Sequence, residues 1–319
     1  MTETELLSAT PEGIARAARI LRDGGLVAFP TETVYGLGGD ACSGRAVARI
    51  FEAKGRPAFN PLIAHVADLT MARAYAHFSD DALRLATAFW PGPLTLVLPL
   101  RADTGLSPLT TAGLDTIGLR VPDHSSAQAL LATFGGPVAA PSANPSGRIS
   151  ATEARHVSEA LAGRIDAILD DGPCPVGLES TIVGFETGGA RLLRPGGLPV
   201  EALEACLGAP LLPMPTPSDT PSAPGQLSSH YAPRAAMRLD ATEARPGETL
   251  LGFGPARDAA LNLSPSGDLV EAAANLFSYL HRLDAGGPDT IAVSPVPDRG
   301  LGRAINDRLR RAAAPRPAG

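Results

Sequence analysis

The sequence has 319 residues, of which 44% are hydrophobic and 19% charged, and its formal net charge is −6. A chain of this length can bury one full-sized core and a second, smaller one. The acidic balance argues against non-specific attraction of nucleic acid, so any anion must be bound in a local basic pocket. The first ten residues contain no apolar h-region, and no apolar run approaches the roughly 20 residues that span a bilayer. We therefore expect a cytoplasmic protein that is not associated with a membrane.

Two residue types are used unusually. Only one of the 27 basic residues is a lysine, Lys54. A site that requires a compact ammonium would explain this exception. The alternative is that this one lysine is present by chance. Cys42, Cys174 and Cys206 form no C-x-x-C pair, which argues against a disulfide framework or a structural zinc site. We expect three reduced, mostly buried thiols.

The first two hundred residues alternate short apolar runs with helical patterns, which predicts an α/β domain. Thr10 and Pro11 begin a helix that ends at Gly24, and Ser43 is the predicted N-cap of the next helix. Further helices are predicted over 80–89, 125–134 and 152–161. The predicted strands cover 26–29, 62–66, 94–100, 116–121, 138–140, 167–169, 181–185 and 191–193. Several strands follow one another without a helix, so the sheet should be mixed.

A break with a different composition follows. Five prolines lie between positions 213 and 224, among serines and threonines that cannot build a helix or a central strand. A second α/β pattern then predicts strands over 249–253 and 290–293 and helices over 269–282 and 303–313. We therefore predict a catalytic domain over 1–210, a linker over 211–234 and a small accessory domain over 235–319.

The loop after the first predicted strand, residues 30–39, is rich in hydroxyls and glycine and can bring donors close to a ligand. Residues 36–41 formally match the G-x-G-x-x-A fingerprint of dinucleotide-binding folds. We reject that interpretation, because the first glycine does not directly follow the strand and no acidic residue lies about 20 positions further on. The sequence also contains no P-loop motif.

Basic residues follow the second helix. Lys54 and Arg56 are one residue apart on a predicted loop stiffened by prolines, a spacing that suits adjacent phosphates. Complementing the dipole of the helix end is the alternative role. His65 lies at the end of the next strand, where a lone histidine is more often a satisfied core residue.

Polar groups recur at strand ends, where open α/β sheets bind ligands. Thr116 and Arg120 share one face of a strand at spacing four. Further polar loops cover 141–147, 179–181 and 193–196. No Ser/His/Asp arrangement, metal-binding histidine pair or carboxylate dyad is evident. The inventory favours phosphoryl-centre chemistry, in which positioning and charge neutralisation dominate.

These segments together resemble the hallmark motifs of the YrdC-domain superfamily. The residues that carry the resemblance lie at 29–38 (Phe-Pro-Thr-Glu-Thr-Val-Tyr-Gly-Leu-Gly), 54–57 (Lys-Gly-Arg-Pro), 141–144 (Pro-Ser-Ala-Asn), 146–147, 179–183, 193–196, 230–233 (His-Tyr-Ala-Pro) and 300–309. The last of these segments is similar to the carboxyl-terminal domain of the long-form threonylcarbamoyl-AMP synthases of that superfamily. The resemblance covers nearly the whole chain.

The resemblance implies a YrdC-like domain, with a twisted mixed sheet flanked by helices around a concave cavity, and a small Rossmann-like α/β domain after it. The implied reaction condenses L-threonine, bicarbonate and ATP with Mg²⁺ to L-threonylcarbamoyladenylate and pyrophosphate, for modification of tRNA position 37. The implied threonine contacts are Thr33, His65, Arg120, Ala140 and Ser180, of which Ala140 offers only its backbone. The implied ATP contacts are Lys54, Arg56, Asn60, Thr116, Ser142, Asn144, Arg194 and Tyr231, with Lys54 and Arg56 as the catalytic cations. No metal ligand of the protein is implied, and the product would be handed to a tRNA transferase.

Two other function classes remain as alternatives. An RNA-binding or assembly protein could use the same basic cavity, although the net charge and the lack of an aromatic stacking platform count against it. A carbamoyl transferase of the hydrogenase-maturation type would carry zinc fingers, for which the sequence has no C-x-x-C pair. The segment 224–231 resembles the active-site cover of the synthases, but residues 227–229 lack the basic residue expected there.

Overall fold

The computed structural model describes residues 3–57, 59–215 and 230–315. Its main feature is a ten-stranded mixed sheet with the strand order β1-β8-β2-β3-β7-β4-β6-β5-β9-β10. These strands are β1 (Glu5–Ser8), β2 (Val27–Phe29), β3 (Gly36–Asp40), β4 (Ile63–His65), β5 (Leu94–Pro99), β6 (Thr116–Arg120), β7 (Val138–Ala139), β8 (Ala167–Asp170), β9 (Thr181–Glu186) and β10 (Gly189–Arg194). Five of the nine strand pairs are antiparallel and four are parallel, so the expected mixed α/β sheet is confirmed.

The helices of this region begin where short polar side chains can accept the free amides of their first turns. Thr10, Ser43, Asp68 and Ser79 each accept a hydrogen bond from a first-turn amide. The helices are α1 (Pro11–Arg22), α2 (Gly44–Lys54), α3 (Leu69–Tyr75), α4 (Asp80–Phe89), α5 (Pro108–Thr111), α6 (Ser125–Phe134), α7 (Ala154–Leu161) and α8 (Val200–Leu207). Helix α2 ends at Gly55 in the left-handed conformation, which favours glycine.

Several elements differ from the sequence expectation. The glycine-rich stretch predicted as a loop contains strand β3, because its glycines allow close packing: a Cβ on Gly38 would lie 2.8 Å from the Phe29 ring. Strand β1 and helices α3, α5 and α8 were not predicted. The cysteines are free thiols, but Cys42 is exposed and only Cys174 is fully buried, so the expectation of mostly buried thiols is wrong for Cys42.

The carboxyl-terminal region forms a second, parallel sheet with the order β11-β14-β12-β13. Its strands are β11 (Ala236–Arg238), β12 (Glu248–Gly252), β13 (Leu261–Asn262) and β14 (Thr290–Val293), and its helices are α9 (Leu269–Ala285) and α10 (Leu301–Ala313). The small α/β unit that the sequence predicts is therefore present, with two short strands, β11 and β13, that its pattern did not reveal. The predicted linker over 211–234 lies partly outside the described residues, since 216–229 are not described.

The two sheets share a hydrophobic cluster. Val34, Ile149 and Leu178 from the first region pack in one cluster with the buried faces of α9 and α10. Gly177 lies against the backbone of α9, where an added Cβ would approach Ala273 O to 2.5 Å. Continuous apolar burial of this kind fixes how the second unit sits on the first. In the described part of the chain, no helix has the length and apolar character needed to cross a membrane.

Candidate active site

A cavity with an empty volume of about 570 Å³, including its mouth, lies against the central strands of the large sheet. Side chains of β4 and β6 form part of its wall, since His65 and Arg120 are register partners on neighbouring parallel strands. The loops after β2, α2 and β7, the first residue of β3, the segment before β9, the end of β10 and residues 230–231 complete the lining.

The structure brings eight of the residues named from the sequence together in this lining. They are Arg56, His65, Arg120, Ala140, Ser142, Ser180, Arg194 and Tyr231. They come from positions between 56 and 231 in the sequence, so only the folding of the sheet brings them to one cavity. Burial of His65, together with the charge of Arg120, lowers the pKa of its imidazole to about 3, so the ring is neutral at physiological pH.

Arg120 forms a buried ion pair with Glu32. Its Nη2 lies 2.7 Å from Glu32 Oε2, and both side chains are about 5% exposed. Its Nε also donates to the carbonyl of Gly92 at 3.4 Å. Within the described residues, neither Glu32 oxygen accepts a hydrogen bond of good geometry, so the pair is held by charge more than by alignment. The guanidinium is therefore available for a better-aligned anion in the cavity.

A second group of cations lies on another part of the wall. Burial lowers the pKa of Arg56 to about 10, and the charge of Arg194 adds to the effect. Arg56 donates to the carbonyls of Asn60 and Pro61, and Arg194 donates to the carbonyl of Ser180 at 2.8 Å. Burial and then the charge of Arg56 hold the pKa of the His230 imidazole well below its usual range. Concentrated positive charge in a dry cavity is suited to a polyphosphate.

Lys54 lies behind this wall. It is the last residue of α2 and is 3% exposed, so the sequence expectation of a loop cation was wrong. Its Nζ donates to the carbonyls of Ser142 and Asn144, each at 2.5 Å. Burial, followed by the charge of Arg56, places the pKa of Lys54 well below its usual value. Through these two hydrogen bonds Lys54 holds the 142–144 loop in place, and Ser142 of that loop lines the cavity.

The other residues named from the sequence do not line the cavity in the described structure. Thr33 is buried, and its hydroxyl lies 2.8 Å from that of Thr31, which does line the cavity. Asn60 is fully buried, and its amide atoms have no hydrogen-bond partner among the described residues. The Asn144 amide donates to two backbone carbonyls of its own loop, and Thr116 is half-buried at the start of β6.

Sequence reasoning missed several lining residues, most importantly Glu179 and His230. Glu179 accepts hydrogen bonds from Ser150 Oγ and from Nε of Arg308, which belongs to α10. Burial alone would raise the pKa of Glu179, but the charges of Arg308 and Arg194 outweigh it and keep the carboxyl ionised. Glu179 and His230 lie inside the motifs at 179–183 and 230–233, next to Ser180 and Tyr231. That adjacency was the available signal.

Comparisons with known proteins agree with this geometry. A family model named Sua5_yciO_yrdC and described as "Telomere recombination" matches residues 19–196, and one described as "Threonylcarbamoyl-AMP synthase, C-terminal domain" matches residues 198–314. The threonylcarbamoyl-AMP synthase of Bacillus subtilis is 40% identical over 98% of this chain and 96% of its own length. That of Pyrococcus abyssi is 42% identical over 93% of each chain. The chain belongs to the threonylcarbamoyl-AMP synthase family. A crystal structure of P. abyssi Sua5 complexed with L-threonine matches with a TM-score of 0.90 at 40% identity, covering 97% of this chain and 98% of that one.

Membership of the synthase family makes this chain an enzyme of the nucleotidyltransferase type and supports its role in tRNA modification. It also decides against the carbamoyl transferase alternative, because both family models match and together they extend over nearly the whole chain. The geometry is consistent with this membership, since one cavity holds an arginine on β6 and a separate cluster of cations for a second anion.

Proposed function

We propose that this synthase condenses L-threonine, bicarbonate and ATP to L-threonylcarbamoyladenylate, pyrophosphate and water, and that the product is passed on for modification of tRNA position 37. The observation that carries the proposal is the arrangement of positive charge in one cavity: Arg120 on β6, and a cluster of Arg56 after α2 with Arg194 at the end of β10. Two anionic reactants repel each other in solution, and separate cation sites offset this repulsion. The threonine complex of the similar P. abyssi protein supports the amino-acid part.

We assign the threonine carboxylate to Arg120. A planar guanidinium can accept a carboxylate through two parallel hydrogen bonds, which its present contact with Glu32 does not do. The neutral imidazole of His65, the register partner of Arg120, and the hydroxyl of Ser180 also line the cavity and can bond the polar groups of the substrate. The neutral amine then adds to the carbon dioxide that bicarbonate releases, and the proton lost by the amine combines with the hydroxide left by bicarbonate, giving a carbamate and water.

The carbamate oxygen attacks the α-phosphorus of ATP, and the bond from that phosphorus to the bridging oxygen breaks to release pyrophosphate. Arg56 and Arg194 offset the charge that develops on the leaving group, and Lys54 holds the 142–144 loop that carries Ser142. Their positions are fixed before the substrate arrives, so little reorganisation is needed during the reaction.

We propose that Mg²⁺ enters with ATP as part of the substrate. Over residues 3–57, 59–215 and 230–315, no group of three or more His, Cys, Asp and Glu side chains could hold a metal ion. The carboxylate of Glu179 in the cavity already accepts bonds from Ser150 and Arg308. Mg²⁺ is commonly bound through substrate phosphates and water with few protein ligands, and this donor set fits such an arrangement.

Pyrophosphate release and mass spectrometry of the product test the proposal. With all three reactants present, we expect the threonylcarbamoyl adenylate, and omission of threonine or bicarbonate should stop pyrophosphate release. Serine should be poorer by about 10–200-fold in kcat/KM, since one methyl contact is worth about 1–3 kcal/mol. Undiminished pyrophosphate release without threonine would contradict the proposed reaction.

A matched pair of variants tests the assignment of Arg120. Arg120→Met removes the buried guanidinium and should raise the KM for threonine far more than the KM for ATP. Arg84→Met removes an arginine that pairs with Asp81 on the surface of α4, with a side chain 52% exposed, and should leave both constants unchanged. Equal effects of the two variants on threonine KM would refute the carboxylate assignment.

A further inference from the structure

The cavity has a structural connection to the second sheet through one arginine. Arg308 lies on α10 and is 1% exposed, although an arginine is among the residues that are almost never fully buried without a partner. Its Nε donates to Glu179 Oε2 at 2.7 Å, and its Nη1 donates to Asp307 Oδ2 at 2.6 Å. The two carboxylates bring charge compensation to the guanidinium at a position where water does not reach.

The same guanidinium also faces an aromatic wall of the cavity. Its Cζ lies 4.9 Å from the ring centroid of Tyr231, within the range of a cation–π contact. Tyr231 has a φ of 62°, a left-handed conformation that a bulky residue adopts only when its surroundings hold it there. The ring stacks on Phe277 of α9 at 5.7 Å, and the backbone amide of His230 donates to the carbonyl of Arg311 on α10. Helices α9 and α10 therefore hold this strained wall in place.

We propose that Arg308 is a positioning residue for adenylate formation, which acts by fixing Glu179 and Tyr231, two residues that line the cavity. The second domain thereby takes part in the reaction through one buried side chain that does not line the cavity itself. This inference rests on the proposed function, because the steps it affects are those of that reaction.

Two features distinguish this role from ordinary domain docking. Another arginine of α10, Arg303, also reaches the first domain, where it pairs with Glu201 at 3.2 Å. Both side chains of that pair are more than 40% exposed, and neither lines the cavity. Arg303 is therefore a control for a contact between the two regions that does not reach the cavity, whereas loss of positioning should follow only from removal of Arg308.

The first experiment compares Arg308→Met, Arg308→Lys and the matched control Arg303→Met. Steady-state pyrophosphate release gives kcat and the KM values for ATP and threonine, and the fluorescence of the single tryptophan, Trp90, reports whether each variant is folded. We expect Arg308→Met to lose about a hundredfold in kcat, as a displacement of about 1 Å would cause. Arg308→Lys should recover part of the loss, since it keeps the charge beside Glu179. Arg303→Met should match the parent.

The pH profile supplies a readout that a purely structural role would not change. Removing Arg308 takes away a charge that lowers the pKa of Glu179, so this pKa should rise in Arg308→Met. The acidic limb of the kcat/KM profile should therefore move to higher pH. Glu179→Gln should lose that limb, and the double variant should be no slower than the slower single variant, because both changes break one connection.

Several results would overturn the proposal. These are a parental kcat and pH profile in folded Arg308→Met, fold-losses that multiply in the double variant, or an equal loss in Arg303→Met. If Arg308→Met does not fold, Arg308→Lys and Glu179→Gln carry the test, and parental kinetics in both would refute it. Calorimetric titration with ATP and with threonine distinguishes failure of the proposed function from failure of the positioning role. A parent that binds both ligands but makes no adenylate refutes the proposed function, while a parental kcat in an Arg308→Met variant that binds both ligands refutes the positioning role.

Discussion

Glu32 compensates the charge of Arg120 in the interior of the protein, where the two side chains are about 5% exposed. Glu32→Gln preserves the shape of the side chain but removes the charge that compensates Arg120 at 2.7 Å. Because both side chains are about 5% exposed, water cannot replace the lost partner. Breaking a buried ion pair in this way costs about 3–5 kcal/mol, so the free energy of unfolding should fall by that amount.

Threonine should reverse part of this loss. In the parent protein the substrate carboxylate must share Arg120 with Glu32, whereas in Glu32→Gln it is the only anion for that guanidinium. A ligand at about a hundred times its Kd stabilises a folded protein by about 2.7 kcal/mol, and a tighter Kd in the variant adds to this value at the same concentration. Threonine should therefore stabilise the variant more than the parent.

Urea unfolding with and without threonine measures both effects. Glu201→Gln is the matched control, because it makes the same change in an exposed pair with Arg303 and should alter the unfolding free energy by less than about 1 kcal/mol. An unfolding midpoint of Glu32→Gln equal to that of the parent would show that the pair contributes nothing. An equal threonine effect in the two proteins would refute the assignment of Arg120 to the carboxylate.

Three further substitutions test other parts of the structure. Lys54→Arg places a wider group in a buried position. It should lower the free energy of unfolding by about 1–3 kcal/mol and should also lower the rate of adenylate formation. A urea midpoint equal to that of the parent would contradict the buried position of Lys54. Burial lowers the pKa of His156 to about 3, and the charge of His281, which stacks on it from α9, adds to this effect. The neutral ring therefore makes its full contribution to stability above the unfolded pKa near 6.5. This contribution is lost as the pH falls from 6.5 towards 3, because the unfolded chain takes up the proton first. Between pH 7 and pH 5, the free energy of unfolding of His156→Asn should therefore fall by about 1–2 kcal/mol less than that of the parent. Urea titrations at the two pH values measure this, and an equal fall in the two proteins would exclude the effect. In Gly196→Ala the new Cβ would lie 2.3 Å from the carbonyl oxygen of Glu179, so turnover should fall by about a hundredfold. Gly44→Ala is the control, because the nearest atom to its new Cβ is 3.5 Å away, and it should leave turnover unchanged. Comparable turnover in the two glycine variants would show that the 179–180 backbone does not need this close approach.

The local elements of this fold follow from the sequence wherever one signal dominates. Helices α4 and α6 begin and end at the residues that the sequence predicts: α4 is amphipathic and capped by Ser79, and α6 is ended by Gly135 in the left-handed conformation. Strand β3 was missed since glycine has a low intrinsic preference for strands, and it forms here only because Phe29 and Val138 pack where side chains would otherwise stand. Tertiary packing overrode local propensity at that position.

The motifs determined which residues belong to the site, because each motif keeps its own residues together along the chain. They could not determine which member of a motif faces the cavity and which supports it from behind. Lys54 and Arg56 are two positions apart, yet one fastens a loop through two carbonyls and the other lines the cavity. That distinction depends on where α2 ends relative to the 142–144 loop, 88 or more positions further along the chain.

What the sequence by itself determined about this protein is its family, its two α/β units and most of the polar residues at the cavity. Only the tertiary structure decided how the second unit contributes. The ion pair between Glu179 and Arg308 joins residues 129 positions apart, and its strength depends on the exclusion of water at a contact between two sheets. A sequence records the charge of each side chain, whereas the distance to its partner and the local dielectric, which set the energy of that charge, arise only when the chain has folded.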